Sequence, residues 1–499
     1  MRRLLPAPHR LALHLTASSR EIEAHAQARL PAHALMARAG AALAKLAIAV
    51  APHARRIWIA CGPGNNGGDG LVAARLLHAH GHQVQVSLIP ARSDAQPTDA
   101  AWALTQARAE GVPIGTELPG FRPDLIIDAL LGLGSTRAPD GTMAQWIAAM
   151  NSMDVPVLAV DLPTGLASDS GRLLGAAAVR ASHTLALLTL KPGLFTAQGR
   201  AQSGTLWFDD LGVLPDCGAD AWLLGSDSLD AGRSQPSHAA HKGSQGDVLV
   251  IGGAAGMQGA TRLAARAALA AGAGRVYACL LDEHAGADTQ RAEIMHWPLA
   301  RLADVGAWQD QCVVAGCGGG TAIAAQLPAL LRHAARLVLD ADALNAIAAD
   351  AALRGLLQAR RSQGLATVLT PHPLEAARLL DQASGAEVQA DRLAAAAALA
   401  GRYGCTVILK GSGSVIASPE LPPAINSSGS AALATAGTGD VLAGWLGGLW
   451  AQQPARSAHE LACAAAYWHG LAGETQQAGP LRAADLIERM HALHGRPAL

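Results

Sequence analysis

Two separate series of short β-type runs, each alternating with Ala- and Leu-rich helical segments, constrain the fold of this chain more than any other feature. The first series contains Ile57-Trp-Ile-Ala, Gln83-Val-Gln-Val, Asp124-Leu-Ile-Ile-Asp, Val157-Leu-Ala-Val-Asp and His183-Thr-Leu-Ala-Leu-Leu. The second contains Asp247-Val-Leu-Val-Ile, Arg275-Val-Tyr-Ala-Cys, Cys312-Val-Val-Ala, Arg336-Leu-Val-Leu-Asp, Ala366-Thr-Val-Leu-Thr and Thr406-Val-Ile-Leu-Lys. Strands joined through helices pair in parallel by crossover, so each series predicts an α/β domain around a parallel sheet. Between about Gly212 and Ala240 the pattern dissolves into Pro, Gly, Asp and Ser, which reads as a segment that neither pairs nor coils. The expected organisation is a Rossmann-like three-layer domain over residues 1–212, a linker over 213–240 and a second α/β domain over 241–499. The halves do not repeat each other, so the chain reads as a fusion. A length of 499 residues agrees with two cores.

Composition excludes several function classes. Half the residues are apolar and 15% are charged, which rules out a disordered chain. A formal charge of −1 offers no basic surface for nucleic acid or an anionic membrane, so small-molecule chemistry is expected. No stretch of about 20 apolar residues runs free of charges and prolines, so no membrane-spanning helix is expected. The cysteines at 61, 217, 279, 312, 317, 405 and 463 lack paired spacing and read as buried bystanders in a reduced, cytoplasmic protein. Prolines interrupt Met1 to Leu15, which reads as a cytoplasmic N-terminus. The sequence leaves oligomeric state open, a homo-oligomer included.

The first candidate site follows the strand Ile57 to Ala60. Gly62-Pro-Gly-Asn-Asn-Gly-Gly-Asp-Gly70 leads into a helical run that begins at Leu71. Glycines let backbone approach an anionic ligand, and the next helix N-terminus offers free N–H groups, so a phosphate-bearing occupant is expected. Asn65, Asn66 and Asp69 add polar side chains that a plain turn does not require. Asp128 and Asp161, at two more strand ends, bring oxygen ligands suited to a hard cation. Either could instead cap a helix or close a turn.

The second candidate site is Ala434-Thr-Ala-Gly-Thr-Gly-Asp440, which runs straight into an apolar helix. A glycine turn at a helix N-terminus stabilises a transferring phosphoryl group, and Asp440 can accept a proton from a hydroxyl. Alternatively, Asp440 is an ordinary first-turn helix carboxylate. Lys410-Gly-Ser-Gly-Ser414, Thr370-Pro-His-Pro-Leu-Glu375 and Asp340-Ala-Asp-Ala-Leu-Asn345 all fall at expected strand carboxyl ends, where open α/β sheets form their crevice. Of the four lysines, at 45, 191, 242 and 410, three precede Gly or Pro-Gly in such motifs, as though lysine were kept for places needing a compact ammonium.

These motifs carry a resemblance. Over roughly Leu15 to Leu211, the glycine loop, the Asp128 and Asp161 segments and Lys191-Pro-Gly193 resemble the NAD(P)H-hydrate epimerase family. The resemblance implies that Asn65, Asn66, Gly67, Gly68 and Asp69, with Gly132, Leu133, Gly134, Ser135, Thr136, Arg137 and Ala138, bind the hydrated dinucleotide. It further implies that Asn66, Asp128 and Thr164 hold a potassium ion and that Asp161 is catalytic at the reacting end. This chain has Thr164 where the family usually has serine, and Leu133 where it often has threonine.

From His241 to about Met490 the chain resembles the ADP- or ATP-dependent NAD(P)H-hydrate dehydratase family, which has a ribokinase-like fold. The matching runs are His241-Lys-Gly-Ser-Gln-Gly, Ile251-Gly-Gly-Ala-Ala-Gly-Met-Gln-Gly-Ala, Thr370-Pro-His-Pro, Lys410-Gly and Gly437-Thr-Gly-Asp. The resemblance implies that Lys410, Gly411, Ser412, Gly413, Ser414 and Gly439 contact the adenine nucleotide, which comes with magnesium. Ala260, Gly318, His372 and Asp440 would contact the hydrate, with Asp440 activating its hydroxyl. Leu374, Ser414 and Ala436 depart from the usual Gly, Thr and Gly, and Gly316-Cys-Gly-Gly-Gly320 departs from Gly-Pro-Gly-Leu-Gly. The implied function is repair of hydrated NADH and NADPH by two fused activities. Rival readings are a small-molecule kinase on the same fold, a scaffold role for the first domain, and a dehydrogenase. The last is disfavoured because no acidic residue at the expected distance ends a second strand.

Overall fold

The computed structural model describes residues 1–91, 97–234, 237–474 and 481–495. Gln235 and Pro236 of the expected linker, and 496–499 at the end of the expected second domain, lie outside the described residues. The chain forms two compact units, Met1–Leu5 with Ala12–Ala221, and Pro6–Leu11 with Trp222–Leu499.

In the first unit, β1 (Arg56–Cys61), β2 (Gln83–Leu88), β3 (Leu125–Ala129), β4 (Val157–Val160), β5 (His183–Leu187) and β6 (Thr205–Asp209) pair in parallel, in the order β6-β5-β4-β3-β1-β2. Its helices include α1 (Thr16–Arg29), α2 (Ala34–Val50), α3 (Asn65–Ala79), α4 (Thr98–Ala109) and α5 (Gly141–Ser152). Strand alternation sends Ile57 and Ile59 of β1 into one core with Leu43, Leu46, Leu71 and Leu77 of α2 and α3. Trp58 and Ala60 enter a second core with Trp146, Ile147 and Met150 of α5. Burial on both faces gives three layers and explains why the strands read as continuous apolar runs. Each fully buried isoleucine contributes about 1.5–3 kcal/mol.

The chain runs from β1 out to β2 and then returns past β1 to β3, so strand order reverses between β1 and β3. The carboxyl ends of β1 and β3 therefore flank a crevice, the usual ligand position in open α/β sheets. Here α3 begins at Asn65, six residues before the start read from sequence. Close packing explains the difference. A Cβ on Gly67 would lie 1.9 Å from the Gly62 carbonyl oxygen, and one on Gly70 would lie 2.6 Å from Ala129 Cβ. The low helix propensity of glycine, about 1 kcal/mol per residue against alanine, is offset by that approach.

In the second unit the strands include β7 (Ala221–Leu223), β8 (Asp247–Gly252), β9 (Arg275–Leu280), β10 (Cys312–Ala315), β11 (Arg336–Leu339), β12 (Ala366–Leu369), β13 (Thr406–Leu409), β14 (Val415–Ser418) and β15 (Leu421–Ile425). They run in the order β9-β8-β10-β11-β12-β13-β14-β15-β7. Pairing is parallel from β9 to β13, antiparallel through β14 and β15, and parallel again at β7. Order reverses between β8 and β10, which sets a second crevice. The segment expected to lack structure thus carries β7 and a short helix, Ser228–Gly232. Trp222 and Leu223 pair with Ala424 and Ile425 of β15 and Leu223 is fully buried, so tertiary pairing overrides the local Pro- and Gly-rich composition.

Helices α6 (Gln258–Ala270), α7 (Pro373–Leu379) and α8 (Thr438–Gln452) bring their N-termini toward the carboxyl ends of these strands. Glycines let α8 pack on α6 at backbone contact: a Cβ on Gly444 would lie 1.9 Å from the Ala264 carbonyl oxygen. Among the described residues, no single helix is long and apolar enough to cross a membrane.

Candidate functional site

At the first crevice Gly62 leaves β1 pressed against the chain that leaves β3. A Cβ on Gly62 would lie 1.9 Å from the Leu130 carbonyl oxygen. Beside this contact opens a cavity of about 460 Å³. Asn65, Asn66 and Asp69 of α3, Gly132 to Ser135 after β3, and Asp161 after β4 line it. Of the other residues singled out from sequence, Gly67 and Gly68 are buried in helix packing, and Thr136, Arg137 and Ala138 are exposed outside the lining.

Asp161 has a left-handed backbone, φ 64°, and its side chain is fixed. Lys191 Nζ donates to Asp161 Oδ1 at 2.5 Å and to the Leu187 carbonyl oxygen at 2.7 Å. The Leu187 amide donates to the same Asp161 oxygen at 3.2 Å. Lys191 is 2% exposed, so this is a buried ion pair at a cavity wall.

Asp128 is fully buried. Thr164 donates to it twice, from Oγ1 at 2.7 Å and from its amide at 2.8 Å, and Leu130 donates at 3.3 Å. Burial, opposed by these bonds, pushes Asp128 up to about 6. A Cβ on Gly132 would lie 2.8 Å from Asn66 Oδ1, and the Asn66 Nδ2 is buried with no hydrogen-bond partner among the described residues. Burial, then the charge of Asp161, raises Glu23, while Lys191 lowers it. Asp69 is raised well above the usual carboxylate range by burial, with Asp161, Glu23 and Asp99 adding.

At the second crevice the strand ends deliver Cys317, Asp340, Thr370 and Lys410 beneath the N-terminus of α8. Lys410 Nζ donates to Asp340 Oδ1 at 2.7 Å, and Thr370 Oγ1 donates to the same oxygen at 2.8 Å. A Cβ on Gly439 would lie 3.2 Å from Lys410 Nζ, so the first turn of α8 lies directly against the ammonium. Sγ of Cys317 and one oxygen each of Asp340 and Asp440 lie within 4.8 Å of one another. Burial pushes Asp440 up to about 6, with Asp340 adding. Burial works against the Lys410 ammonium, but Asp340 and Glu375 outweigh it and leave Lys410 above its ordinary value.

The structure brings Lys410, Gly439 and Asp440 together. Gly411 (φ 145°) and Gly413 (φ 59°) form a turn with Ser412, closed by Ser414 Oγ on Gly411. A Cβ on Gly318 would lie 2.9 Å from Ala260 Cβ, so these two adjoin at the β8/β10 reversal. His372 caps α7: its Nδ1 accepts from the amides of Leu374 and Glu375 at 3.1 and 3.3 Å, and its Nε2 lies 3.2 Å from Glu375 Oε1.

Comparison with known proteins bears on both halves. A family profile described as YjeF-related protein N-terminus matches residues 32–193, and one described as NAD(P)H-hydrate dehydratase matches 248–491. The bifunctional NAD(P)H-hydrate repair enzyme of Escherichia coli is 37% identical over 465 residues, covering 89% of this chain and 85% of that protein. The enzyme of the same name from Coxiella burnetii is 36% identical, covering 95% of this chain and 97% of that protein. The chain belongs to the bifunctional NAD(P)H-hydrate repair enzyme family. Among solved structures, an ADP/ATP-dependent NAD(P)H-hydrate dehydratase from Bacillus subtilis, co-crystallised with ATP/Mg2+, aligns at a TM-score of 0.43 and 23% identity, covering 54% of this chain and 96% of that one.

Within this member of the repair family, sequence reasoning missed residues on both cavity walls. Lys191 was visible as a motif lysine but had no assigned partner; its pairing with Asp161 requires the fold. Ser19, Arg20, Glu23 and Gln27 of α1 also line the first cavity and belong to no sequence motif. Their helical spacing was the available signal.

Proposed function

We propose that residues 1–212 interconvert the R and S hydrates of NADH and NADPH, and that residues 241–499 dehydrate the S hydrate with ADP or ATP as phosphoryl donor. Phosphate and, from ADP, AMP are released. The observation that carries this reading is the first turn of α8, where Asp440 and the Gly439 backbone meet the Lys410–Asp340 pair.

In the second domain, Asp440 takes the proton of the substrate hydroxyl while that oxygen attacks the terminal phosphorus of the nucleotide. The Lys410 ammonium and the free N–H groups of α8 stabilise the charge on the transferring group. Phosphate then leaves with the C–O electron pair, and loss of a proton from the adjacent ring carbon restores the nicotinamide double bond. The turn from Gly411 to Ser414 offers backbone to the nucleotide. Ala260 and Gly318 leave room for the hydrated ring, with His372 at its rim. Cys317, Asp340 and Asp440 do not fit a magnesium cage, since a thiol is a soft ligand and Asp340 is committed to Lys410 and Thr370. Magnesium is therefore assigned to the nucleotide phosphates.

In the first domain, Asn65 to Asp69 and Gly132 to Ala138 hold the dinucleotide, with Asp161 at the reacting end. Asn66, Asp128 and Thr164 fit a potassium ion. Among the described residues, the hydrogen bonds to the buried Asp128 carboxylate come from Thr164 and Leu130, and turning the Asn66 amide would present its oxygen in place of its nitrogen. A monovalent cation held there would supply counter-charge to the Asp128 carboxylate. All seven cysteines are free, as suits a reducing, cytoplasmic compartment.

The test is to incubate the protein with mixed hydrates of NADH, magnesium, potassium and ADP or ATP while following NADH absorbance. Recovery from both epimers is expected. A stable phosphorylated product without recovery would instead identify a kinase.

A further inference from the structure

We propose that Glu23 is a catalytic acid of the epimerase site, working with Asp161 in the same cavity, and that α1 forms a functional wall of that site. The proposal rests on the epimerase reading of the first domain.

Ser19, Arg20, Glu23 and Gln27 recur at the spacing of one helical face, and all four line the cavity that holds Asp69 and Asp161. A polar face of this kind normally meets bulk water. Here the helix is held in place by its own polar residues: the amide and Oγ1 of Thr16 both donate to Asp169 Oδ1 at 2.8 Å, and Ser19 Oγ shares a hydrogen bond with Thr189 Oγ1 at 2.8 Å. Arg20 reaches the Gly132 to Ser135 loop, since a Cβ on Gly134 would lie 2.2 Å from its Nη2. The family profile begins at residue 32, so none of this wall lies within the matched segment.

The cavity separates two carboxyl groups by environment. Asp161 is ion-paired with Lys191 at 2.5 Å and supplies a carboxylate. Glu23 is half-buried; burial raises it, Asp161 and Asp99 add to the rise, and Lys191 and Arg20 oppose it. Glu23 therefore favours holding a proton, and the ion-paired Asp161 faces the same cavity, a placement suited to acid–base work.

The reaction needs such a pair. Water adds to an enamine so that the hydroxyl ends on the carbon bonded to nitrogen, and inverting that carbon requires its C–O bond to break and re-form on the opposite face. Glu23 gives its proton to the hydroxyl oxygen as the C–O bond breaks, the ring nitrogen lone pair becomes the C=N bond of an iminium, and water departs. Water then adds from the opposite face, the C=N pair returns to nitrogen, and the Asp161 carboxylate takes the proton that this water gives up. One water leaves and one enters, and the proton lost by Glu23 equals the proton gained by Asp161. Exchange with solvent resets the pair.

The experiment uses Glu23→Gln and Glu23→Asp in the full chain, each given a single epimer of the NADH hydrate in 18O-labelled water. Glu23→Gln is expected to lose at least about 100-fold of the inversion rate above the uncatalysed background. Its dehydration of pure S hydrate should be unchanged, while Glu23→Asp retains part of the inversion and 18O uptake into the hydrate tracks inversion throughout. The pH profile of wild-type inversion should lose its alkaline limb in Glu23→Gln. Inversion at the wild-type rate in Glu23→Gln, or inversion without 18O uptake, overturns the proposal while leaving the epimerase reading intact. So does a loss shared in full by Glu23→Asp or accompanied by a lowered melting midpoint, which assigns Glu23 to folding. Failure of the wild-type protein to invert either epimer overturns the epimerase reading and this proposal together.

Discussion

Lys410 donates through Nζ to Oδ1 of Asp340 at 2.7 Å, and this pair lies directly against the first turn of α8. The ammonium charge is thereby added to the positive end of the helix. Lys410→Met is expected to slow phosphoryl transfer at least about 100-fold, the scale of losing one preorganised charge in such a site. Hydrate inversion by the same protein should not change. Release of AMP and inversion, measured side by side, check this.

A base works only as the carboxylate. Burial, with Asp340 adding, pushes Asp440 up to about 6. The kcat/KM of dehydration should therefore be level above about 6 and fall toward tenfold per pH unit below it. Asp340→Asn removes the neighbouring negative charge, so the midpoint should move to lower pH. A midpoint that stays in place in that variant would detach Asp440 from the profile.

Removing one partner of a buried ion pair strands the other. Lys191 is 2% exposed and pairs with Asp161 at 2.5 Å. Lys191→Met should cost the first domain about 3–5 kcal/mol. Adding Asp161→Asn to the same chain should restore part of that loss. Urea denaturation of the single and double variants measures both.

If Asp128 shares its buried charge with a bound cation, potassium should stabilise the first domain more than an equal concentration of choline. The gain reaches about 2.7 kcal/mol at one hundred times Kd. Asp128→Asn should abolish the difference between the two salts. Thermal melts in each salt read it directly.

The strands of both domains were legible because burial on two faces demands continuous apolar runs, and Val248 to Ile251 is typical. The first turns of α3 were not. Gly67 and Gly70 look like a loop until the backbone they touch is known. Ala221 to Leu223 was lost in a Pro- and Gly-rich stretch because its partner, β15, comes two hundred residues later. The α1 wall was hidden for a different reason. A polar helical face has the same sequence whether it meets water or a cavity, so only the fold distinguishes Glu23 from a solvated glutamate. Motif residues at strand ends, Asp161 and Lys410 among them, stood out because parallel sheets concentrate unusual residues at their carboxyl edge, and Asp440 stood out in the glycine turn that opens α8. Their ion-pair partners Lys191 and Asp340 appeared in motifs, but pairing across the fold has no local sequence signature.

The central claim is that one chain carries two separable activities on one substrate. The most direct measurement supplies the R hydrate of NADH alone, with ADP, magnesium and potassium, to wild-type, Asp161→Asn and Asp440→Asn proteins. Wild type is expected to recover NADH, Asp161→Asn to stall on R yet consume S at the normal rate, and Asp440→Asn to invert R without forming NADH. Consumption of R at the wild-type rate by Asp161→Asn, or inversion lost together with dehydration in Asp440→Asn, would contradict the claim.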